Sequence, residues 1–585
     1  MTMDRDERAD RGPLHGPPKG WRRILPWGAV ALLYTAVTLV YFWPLPRLFG
    51  DHIGPDLGDP LFSLYVLKWG VHQIRLGMPD FWNANLFYPT RGALAFSEHY
   101  LGPAVQLALF LEIVPNAIAG YNFLFLSSFV GSAAATCWVL RRSGLSWTAS
   151  ALGGGMYAFS SFRLSQVSHL QILIAQWIPP ALWFWDRLLV HRTVKNAALF
   201  LLFYLLNLLG GCYLAYMIHF SLLAVFLSRL AVERRALFSV RSLRVLVPVI
   251  LVAGAAAGAL FLPYARVARA QGLSRDPAEI QFYSAWPSSY LSPSTVNLYF
   301  GEGTIRFLQG TLGEAADRFY RPENSLFAGF LPTVLFFVGA VAAFRGHREG
   351  TADPWARGLV LSGLFCFALS FARVYVPLAR VIPGLSGMRV PARFYVFISL
   401  TVVYFAARGV DLLLHRLPGP RARAALVAGL AVALTVELAP RRFPWERVPR
   451  EEELPKAYVW LRDQPDVKAL VELPLQRDYR ENYYLYASTV HWKPIANGYS
   501  GYMAPSYVEL AHRIRFLPRV AADFDRLRGM GLSHLVVHAR SPSRVKAWRL
   551  WEERFTTGPE RRIERVYQER GISIYRLVDG AREEP

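Results

Sequence analysis

The sequence predicts a polytopic α-helical membrane protein of about 11 transmembrane helices, N-terminus inside and C-terminus outside, followed by a soluble α/β domain. Three observations predict it. The 585 residues are 53% hydrophobic and 14% aromatic, which is too apolar for an ordinary globular chain. The apolar residues come in blocks almost free of charge, such as 24–43, 243–263 and 424–438, near the length a helix needs to cross hydrocarbon. The 64 Lys and Arg, behind a formal net charge of +22, are parcelled into short loops between those blocks. No basic stripe forms on a foldable soluble unit, so the charge does not point to nucleic acid.

In chain order, 1–23 is a polar, charge-rich stretch that reads as a disordered cytoplasmic tail. Spans are expected at 24–44, 119–140, 147–162, 170–189, 196–210, 212–228, 243–263, 325–344, 357–373, 392–413 and 423–440. The first has no small-residue cleavage site after it and reads as an uncleaved anchor. Cys137, Cys212 and Cys366 lie inside apolar blocks without paired spacing, so they read as packing residues. With the N-terminus inside, Arg22 and Arg23, Arg141 and Arg142, Arg187 and Arg192, Arg234 and Arg235, Arg345 and Arg348, and Arg421 and Arg423 all fall on the cytoplasmic side. Residues 102–114 are too short to span and are laid in the outer interface, which keeps those loops consistent.

Two large loops, 46–118 and 264–324, then face outward with the C-terminal domain. Within the first, 60–76 repeats Leu61, Leu64, Tyr65, Trp69 and His72 at helical spacing, as an interfacial helix would. Long loops in compact proteins usually carry function.

Four polar groups lie on this outer side. Gly54-Pro55-Asp56-Leu57-Gly58-Asp59-Pro60 sets two carboxylates three residues apart in a Gly/Pro turn. Such a pair can take a proton from a hydroxyl or hold a divalent cation; equally, Asp59 can cap the next helix with Pro60 at its first position. Ser97-Glu98-His99 offers a metal ligand or proton relay, or ordinary surface and capping residues. Arg163, Gln166, His169, Gln171 and Gln176 lie between the third and fourth spans, where polar groups face a cavity or bond one another. Arg389 and Arg393, four apart, would share a helix face, and their forks suit phosphate; interfacial arginines also simply snorkel.

The order of helix one, long outer loop with Gly58-Asp59-Pro60, Phe87-Tyr88-Pro89, Ser97-Glu98-His99, a second helix ending in Arg141-Arg142, and a later large outer loop resembles the GT-C superfamily of integral membrane glycosyltransferases. The likeness covers about 24–440 and is of the protein O-mannosyltransferase and lipid A aminoarabinose transferase type, nearest to uncharacterised bacterial GT-C-like proteins. It implies a multi-pass bacterial inner (plasma) membrane protein with 441–585 periplasmic or extracellular. It further implies inverting transfer of a sugar from a polyprenyl-phosphate donor to a glycan, lipid or protein acceptor. Asp59 would be the general base with Asp56 in reserve, and Arg389 and Arg393 would hold the donor phosphate. Glu98, His99, Arg163, His169 and Gln171 would orient acceptor or metal, and a divalent cation is a possible cofactor. A transporter or flippase of lipid-linked saccharides is the rival expectation, although no internal repeat is seen. A non-catalytic partner in envelope polysaccharide assembly is the third.

From 441 the composition turns polar. Strand-like 469–473, 534–538 and 572–577 alternate with helical 455–462, 507–516 and 520–529, as in a small α/β domain. Asn497-Gly498-Tyr499-Ser500-Gly501-Tyr502, near Tyr483, Tyr484, Tyr486 and Trp492, suits stacking on sugar or on the membrane part, or core packing, which the pattern favours.

Overall fold

A computed structural model describes residues 21–312, 319–348, 354–476, 478–538, 542–569 and 571–579. Residues 1–20 of the expected tail lie outside these, and the chain is helical from Trp21. The molecule is mostly helical. Among the described residues Ala117–Arg142, Cys212–Leu237, Val240–Gln271 and Pro391–Arg416 are long and apolar enough to cross a membrane. Pro354–Ser370 and Ala372–Ala379, bent by 84°, make a fifth if counted together. Pro26–Tyr41, Leu101–Leu111, Val194–Gly210 and Phe330–Ala343 are shorter apolar helices. Only 11% of the apolar window of Val240–Gln271 is buried by protein, so its Leu, Val and Ala side chains are left for lipid.

Two expected spans differ. In place of 147–162 and 170–189 stand Trp147–Ala158 and Ile178–His191, joined by irregular chain with single turns at Ser161–Ser165 and Leu170–Leu173. A 12-residue helix rises about 18 Å, short of a ~30 Å hydrocarbon core. The physical reason is the polar content of the joining segment, where Arg163 and Gln166 are fully buried. Irregular backbone at such depth survives only inside protein. Arg163 makes that possible: its guanidinium donates to the carbonyls of Ala158 (3.1 Å), Ser128 (3.3 Å) and Leu173 (2.9 Å).

Close helix packing has one clear cause. Phe330–Arg348 lies against Tyr395–Arg416 with Gly339 facing Gly409, and a Cβ on Gly339 would fall 1.9 Å from the Phe405 carbonyl oxygen. Two backbones approach this closely only through glycine.

The expected interfacial helix forms as Asp59–Arg75, but its residues Pro60 to Val71 are buried, so it is not a surface helix. It is sandwiched between Leu101–Leu111 and the helix Glu481–Ser488. In 456–577 a four-stranded sheet runs in the order Leu470–Leu473, His534–His538, Ile572–Leu577, Ile563–Glu569, the first pair parallel and the others antiparallel. Three strands match the sequence reading. The fourth, rich in Glu, Arg and Gln, has no apolar alternation to reveal it.

This region does not stand apart from 46–118. One continuous core holds Phe42, Tyr65, Leu67 and Phe87 together with Leu470, Val536 and Ile574. Backbone bonds reinforce it, from Phe87 N to Asn497 O and Tyr88 N to Ile495 O (both 2.9 Å), and His52–Ile53 pairs with Glu446–Arg447.

Candidate functional site

Asp59 is the first residue of its helix, and the N-cap position is held by Gly58. Capping therefore does not account for it. Its carboxylate instead faces Nε2 of His169 at 3.3 Å and accepts from the Tyr499 hydroxyl at 3.4 Å. The side chain is 30% exposed, open enough for a substrate to reach. Burial pushes the Asp59 carboxyl above the usual aspartate range, against the pull of Arg393, Arg389 and the Tyr499 bond.

The turn before it is built for this. Asp56 Oδ1 accepts from Gly58 N–H at 2.7 Å, and Asp56 Oδ2 accepts from the Ser168 hydroxyl at 2.6 Å. A Cβ on Gly58 would lie 2.7 Å from Asp56 Oδ1, so the tight Asx turn needs glycine there. Asn482 donates to the Gly58 carbonyl at 2.8 Å. Asp56 is thus occupied in fixing the turn and in tying it to the 159–177 segment that carries His169.

His169 is buried to the point that its imidazole falls to about 4, with Arg393 pushing the same way. It is neutral at pH 7, so the Asp59 contact is the close approach of a neutral imidazole rather than an ion pair. Tyr121 and Tyr100, both buried, lie close enough for the Asp59 charge to act on them.

Arg393 is the shared neighbour. Its charge acts on Asp59, Glu98 and His169, and its guanidinium sits 4.7 Å over the Tyr213 ring. Glu323 holds it at 3.9 Å, while its buried Nε has no hydrogen-bond partner. Arg389 is held by Glu279 at 3.2 Å, and its backbone N–H donates to the Tyr213 hydroxyl at 3.1 Å. The charges of both arginines act on Asp59, and each arginine pairs with a carboxylate from 264–324.

The remaining expected residues lie at the edges. Glu98 is buried and accepts from the Cys212 N–H at the start of Cys212–Leu237, a favourable place for an anion. Burial raises its carboxyl, while that bond and Arg393 draw it down. His99 Nδ1 accepts from Leu101 N–H at 3.1 Å, and burial takes this imidazole to about 4. Gln171 Oε1 accepts from the Tyr100 hydroxyl at 2.7 Å. Arg163 has backbone carbonyls as partners, as described above.

Sequence reasoning did not foresee Glu279, Glu323, Tyr213 or Ser168. None sits in a motif, and only folding brings them to Asp59 or the arginines. Tyr499 was visible as one of a Gly/Tyr-rich loop, but core packing was the favoured reading. Tyr484 and Tyr486 do pack inside, whereas Tyr499 reaches Asp59 and Tyr502 donates to the Gly387 carbonyl at 3.1 Å under the Arg275 guanidinium.

A divalent cation does not fit well. Among the described residues no three His, Cys, Asp or Glu side chains are grouped to hold one, and both Asp56 oxygens already accept hydrogen bonds from protein.

No protein-family model matches the sequence, and no curated protein matches it. Solved structures do. An oligosaccharyltransferase of Archaeoglobus fulgidus, tethered with an acceptor peptide containing the NVT sequon, superposes with a TM-score of 0.51 at 12% identity. The match covers 89% of this chain and 69% of that one. The chain has the GT-C fold. The archaeal oligosaccharyltransferase AglB in complex with an inhibitory peptide and a dolichol-phosphate gives 0.47 over 89% of this chain and 70% of its own, at 12% identity. ArnT of Cupriavidus metallidurans, bound to undecaprenyl phosphate, gives 0.43 over 96% and 99%, also at 12%. Identity this low makes the likeness one of fold.

Proposed function

We propose that the protein is a membrane glycosyltransferase that moves a sugar from a polyprenyl-phosphate donor to an acceptor at the outer leaflet, with Asp59 as general base. The observation that carries this reading is the Asp59 carboxylate, partly open, accepting from the Tyr499 hydroxyl, with Nε2 of His169 3.3 Å away and the charges of Arg389 and Arg393 acting on it. The acceptor hydroxyl gives its proton to Asp59 as its oxygen attacks the anomeric carbon from the face opposite the phosphate. The anomeric C–O bond breaks and leaves its electron pair on the lipid phosphate. A raised carboxyl is the better base near neutral pH, and His169 and Tyr499 fix its orientation. Arg393 and Arg389 would take up the charge that grows on the leaving phosphate, and the unpartnered Arg393 Nε–H is a donor free for it.

Residues of 46–118, 159–177, 264–324, 387–394 and 497–502 meet around this site, which supports placing all of them, and 441–585, on the non-cytoplasmic side of an inner membrane. About 11 spans remains the proposed count, with the paired short helices completing crossings inside the bundle.

The test uses the full chain in lipid with a polyprenyl-phosphate sugar and acceptor glycan. Asp59→Asn should lower the turnover by a factor of about 10² to 10⁴, and Arg393→Ala should impair donor use. Unchanged turnover in Asp59→Asn refutes the base assignment. The helices interrupted around His169 also suit a transporter of lipid-linked saccharides. Lipid flipping that persists in a protein without transfer activity would favour that rival.

A further inference from the structure

A cavity lies away from Asp59, at the other end of the same helix. Its volume is about 570 Å³, and His72, Arg75, Arg450, Glu451, Glu452 and Trp492 contribute to its lining. His72 is 13 residues beyond Asp59, roughly 20 Å along the helix axis. Two features show a built site. Trp492 holds a backbone φ of +55°, a region bulky side chains avoid, and its ring stacks on the His72 imidazole with centroids 4.3 Å apart and planes 15° off parallel. Beneath them Lys68 is buried, paired with Glu451 and 5.0 Å over the Tyr486 ring.

The charges on the walls are balanced rather than of one sign. Lys68 is engaged by Glu451, and Arg75 by Glu112 at 3.2 Å. That leaves little net attraction for an anion, so a phosphate headgroup is a poor occupant. An aromatic platform flanked by guanidinium donors and carboxylate acceptors instead matches a pyranose, whose C–H face stacks while its ring hydroxyls both donate and accept.

We propose that this cavity is a second, non-catalytic saccharide-binding site, and that the glycan the protein handles extends beyond a single sugar. The assignment rests on the reading of the chain as a glycosyltransferase and names its substrate class as an oligosaccharide. Trp492 is the stacking surface, with Arg75, Arg450 and Glu452 at the rim bonding the hydroxyls.

The experiment titrates the detergent-solubilised full chain with chitotetraose, maltotetraose and mannotetraose by calorimetry. At least one should bind with a millimolar or tighter Kd, and the matching monosaccharide about tenfold more weakly. Trp492→Gly removes the ring and accepts the positive φ, and it should weaken binding about tenfold. The exposed Arg75→Ala should weaken it several-fold and serves as the deciding variant if Trp492→Gly does not fold. Asp59→Asn should bind as wild type does. No binding of any tetrasaccharide, wild-type affinity in the folded variants, or displacement by undecaprenyl phosphate overturns the proposal. Transfer that survives Asp59→Asn while tetrasaccharide binding stays sensitive to Trp492 sinks the base assignment alone. Loss of transfer in Asp59→Asn with no tetrasaccharide binding sinks the second site alone.

Discussion

Asp59 owes its chemistry to its surroundings, and each neighbour can be removed singly. The Tyr499 hydroxyl favours the charged carboxylate, so Tyr499→Phe should raise the Asp59 carboxyl further. A base works only when deprotonated, so the acidic limb of the pH–rate profile should move to higher pH by about one unit, given a long and therefore weak bond to a charged group. An unshifted limb in Tyr499→Phe would separate this hydroxyl from the base. Glu481 makes a second titration visible in stability. It is buried under bonds from Gln476 N–H and Asn497, yet burial dominates and takes it from an ordinary value of 4.5 to about 7. Its folded form holds the proton more tightly than the unfolded chain does. Its contribution is therefore full below pH 4.5 and declines as pH rises through about 7. Thermal unfolding across that window should show the decline in the wild type, and Glu481→Gln should flatten it.

Helices in this bundle are fixed by two kinds of contact with distinct costs. Gly339 and Gly409 let two helix backbones touch, and Gly409→Leu would drive a side chain into the Leu335 carbonyl. Overpacking of this kind costs about 1–3 kcal/mol or more, read as a lower unfolding temperature in detergent. Arg229 grips the buried Asp186 with Nε at 2.7 Å and Nη2 at 2.8 Å, joining Ile178–His191 to Cys212–Leu237. Asp186→Ala leaves the buried Arg229 guanidinium with Glu233 alone and should cost up to about 3 kcal/mol, whereas Asp186 and Arg229 replaced together by apolar residues should cost less. Equal losses in the single and double variants would contradict that account.

Across the whole molecule, 441–585 shares one core with 46–118. It supplies Tyr499 to the site, Asn482 to the Asp56–Asp59 turn and half of a shared core. Deleting it should leave the apolar helices in place but expose 46–118, detected as rapid proteolysis there. A protected loop in the truncated protein would show that it folds without that support. The sequence by itself determined the membrane class, the helical spans with strong uninterrupted hydropathy, three of the four strands, and Asp59, His169, Arg389 and Arg393 as residues of interest. These are local signals, in which block length, spacing and loop charge suffice. Tertiary structure alone decided that 147–191 breaks around buried Arg163, that Asp59–Arg75 is sandwiched rather than interfacial, and that Glu279, Glu323 and Tyr499 meet the catalytic candidates. Those outcomes depend on which distant segments desolvate one another, and no window of sequence contains both sides of such a contact.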